Sequence, residues 1–274
     1  MNVKLAFVGG GNMARSIVGG LVANDYDPAL IRVSDPLASQ REMLSKRFPV
    51  RTAKSNLECI DDADIVIMAI KPQVMKTALE SIRSHLQPSS QLMISIAAGI
   101  RIEDIMRWSG CKLPLVRVMP NTPALIGCGA SVLCANDIAQ DFHKKMAESV
   151  MRAVGEVAWI DSENDMDAVT GISGSGPAYF FRVMEIMIEA AEKNGLDPKL
   201  SKSLVLQTAL GAARLAQDSP LSPGELRKQV TSKRGTTEAA LEQMENSGIA
   251  TIFEAGITAA VDRSRELALE MGRE

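Results

Sequence analysis

Residues 3–14 read Val3-Lys4-Leu5-Ala6-Phe7-Val8-Gly9-Gly10-Gly11-Asn12-Met13-Ala14. The apolar run Val3–Val8 predicts a buried strand. Asn12–Ala23 predicts a helix carrying Met13, Ile17, Gly20 and Leu21 on one face. Between them, Gly9 to Ala14 matches GxGxxA in a strand–turn–helix setting. Gly9 permits a tight turn, Gly11 lets the backbone approach a pyrophosphate, and Ala14 keeps helix and strand close. The head of the helix adds free N–H groups and a partial positive charge. The segment therefore reads as a dinucleotide site. The competing reading is a tight turn with no ligand.

Outward from this turn the chain alternates. Leu30–Ser34, Asp64–Ala69, Gln91–Ala97 and Leu115–Met119 read as strands. Ser39–Phe48, Pro72–Leu86 (opened by proline) and Ile102–Trp108 read as helices. Alternation of this kind implies βαβ units and a parallel sheet covered on both faces. Runs such as Ile65-Val66-Ile67-Met68-Ala69-Ile70 suit strands buried on both sides. Gly127–Ala135 and Glu156–Ile160, separated by a helix, are expected to close the sheet.

From about Glu163 strand character is lost. Ala178–Asn194, Lys199–Ala216, Glu225–Val230, Thr237–Glu245 and Ile249–Met271 all read as helices, broken by glycines and prolines. Ile252–Leu269 is aliphatic round much of its circumference, which predicts a helix buried on several sides. The expected architecture is α/β: an N-terminal Rossmann-type parallel-sheet domain over residues 1–162, then an all-α helical dimerisation domain over residues 163–274.

Composition narrows the function classes. The 274 residues carry a net charge of −3 and 4% aromatics, so neither a basic field nor a base-stacking surface is available for nucleic acid. No apolar run reaches the roughly 18 residues of a membrane span. The N-terminal stretch lacks the pattern of a signal peptide. The four cysteines form no CxxC pair, and two histidines cannot build a zinc site, so a cytoplasmic protein with reduced thiols and no metal is expected. His85 and His143 fall in no motif and read as structural.

Several polar segments fall at strand ends, where open α/β sheets bind ligands. Ser34-Asp35 ends the second strand. Asp35 either accepts from a ribose 2′-hydroxyl, disfavouring a 2′-phosphate, or starts a turn before Pro36; Arg41 lies a turn further on. Ala69-Ile70-Lys71-Pro72 is either a cofactor loop or a plain strand end with a solvated lysine. Met119-Pro120-Asn121-Thr122-Pro123-Ala124 is a stiff polar loop suited to a nicotinamide, or an ordinary turn.

The second half adds two more segments. Gly171-Ile172-Ser173-Gly174-Ser175-Gly176-Pro177 fits no nucleophile elbow and follows no strand. It looks like the GxxGxGxxxK segment of hydroxyacid dehydrogenases, but Phe180 stands where their catalytic lysine falls. A substrate needing no proton removed, such as an imine, fits that departure. In Ser232-Lys233-Arg234-Gly235-Thr236-Thr237, Thr236 or Thr237 is expected to cap a helix. Its N–H groups either bind a substrate carboxylate or simply begin a helix.

Taken in order, Gly9–Ala14, Ala69–Pro72, Ser95–Gly99, Met119–Ala124, Asp167–Tyr179 and Leu221–Leu241 resemble the pyrroline-5-carboxylate reductase family across nearly the whole chain. The resemblance implies reduction of 1-pyrroline-5-carboxylate to L-proline with NADPH or NADH, the last step of proline synthesis. It implies a homodimer, or a larger homo-oligomer of dimers, with the substrate site at the subunit interface. By the family pattern Gly9, Gly11, Asn12 and Met13 hold the pyrophosphate. Asn56 lies toward the adenosine, where Ser34 and Asp35 are expected from their place at the end of the second strand, and Ala69, Lys71 and Pro72 flank the cofactor. Ala97, Met119 and Asn121 line the nicotinamide. Ser232, Gly235, Thr236 and Thr237 hold the substrate carboxylate, with the Thr237 hydroxyl on the ring nitrogen.

The sequence departs from the family at Lys233-Arg234, where a Pro-Gly pair is usual, and at Lys228, where an aspartate is common. The two cations either aid capture of an anionic substrate or sit outside the pocket. Another imine or 2-hydroxyacid oxidoreductase on this scaffold, and a non-catalytic dinucleotide sensor, are the alternatives.

Overall fold

A computed structural model describes residues 3–273. Eight strands form one sheet: β1 (Leu5–Val8), β2 (Ile31–Ser34), β3 (Arg51–Ala53), β4 (Ile65–Met68), β5 (Leu92–Ser95), β6 (Leu115–Met119), β7 (Gly129–Ala135) and β8 (Gly155–Trp159). Their spatial order is β3-β2-β1-β4-β5-β6-β7-β8. The first six run parallel, and β1 sits between β2 and β4, where the winding reverses. A reversal of this kind opens a crevice beyond the carboxyl ends of the strands.

Helices cover both faces. α1 (Asn12–Ala23), α2 (Ala38–Arg47) and α6 (Asp141–Arg152) pack on one side, with Phe7, Ile17, Leu44, Ile67 and Val150 in the core there. α3 (Asn56–Ile60), α4 (Met75–Ile82) and α5 (Ile102–Ser109) pack on the other, around Met68, Met75, Leu79, Met93 and Leu115. Each such fully buried side chain contributes about 1.5–3 kcal/mol over an exposed one.

The sheet departs from expectation in three ways. The short polar strand β3 and the five-residue α3 had not been read from the sequence. β7 runs antiparallel to β6. The last two strands extend the sheet to an open edge at β8 and do not close it.

The chain divides into two compact units, Met1–Ser175 with Ala260–Glu274, and Gly176–Ala259. This differs from the division at 162/163 expected from the sequence. Residues 163–175, which include α7 (Met166–Val169), stay with the sheet because their polar groups are used there. Glu163 accepts from the buried Arg117 at 2.7 Å and from the Ile102 N–H at 2.8 Å. Asp167 accepts from Ser264 at 2.7 Å, which ties in the end of the last helix. The helical unit contains α8 (Gly176–Lys193), α9 (Pro198–Asp218), α10 (Pro223–Gln229), α11 (Thr236–Asn246) and the start of α12 (Ile249–Arg273). Phe180, Phe181, Leu204 and Ile252 are exposed on it. The multi-sided burial expected for Ile252–Leu269 is thus not met within one chain: Leu269 is also exposed.

Candidate active site

The glycine turn is built as its sequence requires. Gly9 has φ +101°, and a Cβ there would overlap the Ala69 carbonyl oxygen and lie 2.7 Å from Ile70 Cγ2. Only glycine fits. Gly9 N–H donates to the Ser34 carbonyl at 2.8 Å, and Ala69 N–H to the Val8 carbonyl at 2.8 Å. The turn is therefore pinned between β2 and β4. Gly11 serves as N-cap of α1 with no side-chain cap, and a Cβ on it would meet nothing within 4 Å. The head of α1 therefore faces open space with uncapped N–H groups, which fits a pyrophosphate. Asn12 is exposed and Met13 half-buried at this mouth, while Ala14 is buried.

At the end of β2, Asp35 starts a turn, one of its two expected readings. Its Oδ2 accepts from Gly10 N–H at 2.9 Å and its Oδ1 from Leu37 N–H at 2.9 Å. The carboxylate thus braces the glycine turn and starts the turn into α2. Ser34 Oγ donates to Asn56 Oδ1 at 2.8 Å, so these two expected site residues are together. Arg41 holds the Asp35 and Pro36 carbonyls at 2.7 and 3.0 Å. Arg15, which sequence reasoning missed, donates to Asn12, Gln40 and the Gly10 carbonyl. Its position three residues after Asn12 on α1 was the available signal.

Ala69, Ala97 and Met119 lie just beyond or at the carboxyl ends of three neighbouring strands, β4, β5 and β6. Ala97 is buried, Ala69 and Met119 half-buried, and Lys71 exposed ahead of Pro72. Pro72 opens a short 3-10 turn leading into α4. Asn121 spends its amide on backbone: Nδ2 donates to the Ser173 carbonyl at 3.1 Å, and Oδ1 accepts from Ala130 N–H at 2.9 Å.

The Ser232–Thr237 segment lies in the helical unit and runs from the α10–α11 connection into the first turn of α11. Gly235 N–H donates to the Ser232 carbonyl at 3.0 Å, closing a turn in which Arg234 has φ +58°. Glu238 Oε2 accepts from Arg234 N–H at 2.5 Å. The expected cap is corrected: Gly235, not Thr236 or Thr237, is the N-cap of α11, and no side chain caps it. The threonines are the first two helical residues instead. Their hydroxyls are released from capping, and the first N–H groups of α11 are left for an external acceptor. Lys228 lines an open cleft of about 540 Å³ on this unit with Arg227, Thr231 and Glu238.

Other candidates have plain roles. Burial pushes the Cys59 thiol up to about 11, and its sulfur donates to the Phe7 carbonyl. His143 accepts from Gln140 N–H to complete a capping box on α6. Phe180 is exposed on α8. Among the described residues, no helix is long and apolar enough to cross a membrane.

Comparison with known proteins gives a single answer along the chain. The family model for pyrroline-5-carboxylate reductase dimerisation matches residues 163–267, and one for NADP oxidoreductase, coenzyme F420-dependent, matches residues 4–99. A pyrroline-5-carboxylate reductase of Pseudomonas aeruginosa is 46% identical over 270 residues, 98% of both chains. One from Bacillus subtilis is 39% identical over 96% of this chain and 89% of its own. The solved structure of a pyrroline-5-carboxylate reductase from Coxiella burnetii has a TM-score of 0.94 at 41% identity, covering 97% of this chain and 99% of that one. The Plasmodium falciparum pyrroline carboxylate reductase, solved with NADP bound, has a TM-score of 0.86 at 31% identity, covering 97% and 98%.

Strand order and glycine turn define a Rossmann-type domain, and the family model over residues 4–99 with the relatives makes it that of an NAD(P)H-dependent oxidoreductase. The relatives narrow that class without conflict between the two halves. The chain belongs to the pyrroline-5-carboxylate reductase family.

Proposed function

We propose that the chain reduces 1-pyrroline-5-carboxylate to L-proline in the cytoplasm, working as a homodimer or a larger assembly of dimers. The observation that carries this reading is the 46% identity to a pyrroline-5-carboxylate reductase over 98% of both chains. The uncapped glycine turn supports coenzyme binding, and the uncapped head of α11 supports carboxylate binding. The dimerisation match over residues 163–267 and the exposed Phe180, Phe181 and Ile252 support self-association.

Gly9, Gly11, Asn12 and Met13 hold the pyrophosphate, and Ser34, Asp35 and Asn56 border the adenosine ribose. Ala69, Lys71 and Pro72 flank the coenzyme, and Ala97, Met119 and the Asn121 loop wall the nicotinamide. When bound, the nicotinamide would supply a hydride to the carbon of the protonated imine, whose nitrogen already carries the proton that the amine keeps. N–H groups at the head of α11, with Ser232 and Gly235, grip the substrate carboxylate. The Thr236 and Thr237 hydroxyls stand on the same turn, and Thr237 hydrogen-bonds the ring nitrogen as it becomes an amine. With no lysine at position 180 and neither histidine near the crevice motifs, rate enhancement comes mainly from orientation.

The test follows NADH and NADPH oxidation with pyrroline-5-carboxylate and with a panel of keto acids. Turnover of the cyclic imine alone is expected; preference for a keto acid would reject the reading. Thr237→Ala is expected to lower kcat more than it weakens coenzyme binding, and the opposite pattern would reject the placement of Thr237.

A further inference from the structure

We propose that Asn121 is a positioning residue, a strut that holds the nicotinamide wall in register from behind. This rests on the reading above. Thr170–Gly174 forms a π-helical turn, closed by Ser175 N–H to the Thr170 carbonyl at 2.9 Å. Such turns leave backbone groups outside the regular ladder. The residue four on from Ser173, which would donate to its carbonyl in an α-helix, is Pro177, and proline has no N–H. Asn121 Nδ2 takes that carbonyl at 3.1 Å. The same amide accepts from Ala130 N–H at 2.9 Å, near the start of β7. One side chain therefore ties three backbone segments: the exit of β6, the entry of β7 and the π turn.

What the tie positions is Met119. A Cβ built on Gly174 would overlap Met119 Cε, so the turn lies directly against that side chain. Thr170 and Ser173 fasten the turn from within, their hydroxyls donating to the Met166 and Val169 carbonyls at 2.8 and 3.0 Å. Met119 is thus backed by a turn that the Asn121 amide ties to the exit of β6 and the entry of β7. Loss of the amide releases the turn, and Met119 gains room to move away from the reacting face. A displacement near 1 Å at a hydride-transfer site costs on the order of 100-fold in rate.

The experiment compares Asn121→Ala, Asn121→Asp and Gly174→Ala, the last also in a Met119→Leu background. Measurements are kcat, coenzyme Kd by fluorescence, Tm, and the primary isotope effect with coenzyme deuterated at C4. Asn121→Asp keeps the acceptor for Ala130 but sets a carboxylate against the Ser173 carbonyl. Both Asn121 variants are expected to lower kcat by about 10- to 100-fold, to leave coenzyme Kd within twofold, and to raise the isotope effect. Gly174→Ala is expected to lower kcat with the same signature, and by at least threefold less in the Met119→Leu background, where the overlapping methyl is gone. A tenfold rise in Kd with kcat little changed would make Asn121 a coenzyme ligand and overturn the proposal. So would a fall in kcat and Tm with an unchanged isotope effect, or equal losses from Gly174→Ala in both backgrounds. Turnover by the parent chain tests the functional reading separately, since Kd and Tm of the variants need no substrate.

Discussion

Two glycines in one turn are expected to fail in opposite ways. At Gly9, alanine would place a Cβ on a backbone with φ +101°, against the Ala69 carbonyl. The conformation costs about 1–2 kcal/mol for a residue with a Cβ. Overpacking against backbone that cannot swing aside adds about 1–3 kcal/mol. The sum of about 2–5 kcal/mol lowers Tm by about 5–15 °C. At Gly11 the φ is an ordinary −69° and nothing lies within 4 Å of a Cβ. Gly11→Ala changes stability by about 1 kcal/mol or less, the scale of an exchanged N-cap. The new methyl instead projects into the open space at the head of α1 that the proposed function gives to the coenzyme pyrophosphate. Loss of one charge-assisted N–H bond there is worth about 1.5–3 kcal/mol, or about 10- to 150-fold in Kd. Thermal unfolding and coenzyme titration of the two variants, side by side, separate the effects. Unchanged coenzyme affinity in Gly11→Ala would refute the role given to the turn. A Tm loss as large as that of Gly9→Ala would refute the structural account.

Other expectations are as direct. Asp35→Ser removes a negative charge from the end of β2 and should shift preference toward NADPH over NADH by about fivefold, the roughly 1 kcal/mol of a close charge pair screened by water; a ratio of the two kcat/KM values checks it. Thiol titration of the native protein should find exposed Cys128 reactive and buried Cys59 and Cys134 protected, because burial raises both of their pKa values. Cys59 is pushed from 9.0 to about 11, so between these pH values it is ionised when unfolded and neutral when folded. Its contribution is complete below pH 9 and is lost as pH rises toward 11, which unfolding at stepped alkaline pH will read as falling stability. Arg234→Val should lower stability by about 1–2 kcal/mol, since a branched side chain tolerates φ +58° poorly, whereas Arg234→Gly should stay within about 0.5 kcal/mol; Tm values of the pair decide.

The βα alternation was legible because both-face burial leaves unbroken apolar runs such as Ile65–Met68. β3 was not, because Arg51-Thr52-Ala53 is a short edge strand with almost no apolar signal. The reversal at β7 depends on the chain path after Asn121, where a short 3-10 turn ends on Gly127 at φ +73°; no periodicity records direction. In the site, the glycine turn declared itself locally. The cap of α11 misled because threonine is a good cap by type, yet Gly235 holds the capping position. The Asn121–Ser173 link spans 52 positions and left only Pro177 as a trace.

Arg234 carries a lesson of its own. A residue poorly suited to left-handed backbone adopts it because the Gly235–Ser232 bond and the Glu238 carboxylate dictate the path from outside. The loop's path is thereby held from its flanks for any apex residue without a β-branch. Natural drift at 233 and 234 can therefore retune the charge around the α11 entrance while the scaffold beneath stays constant, and protein engineers can exploit the same latitude.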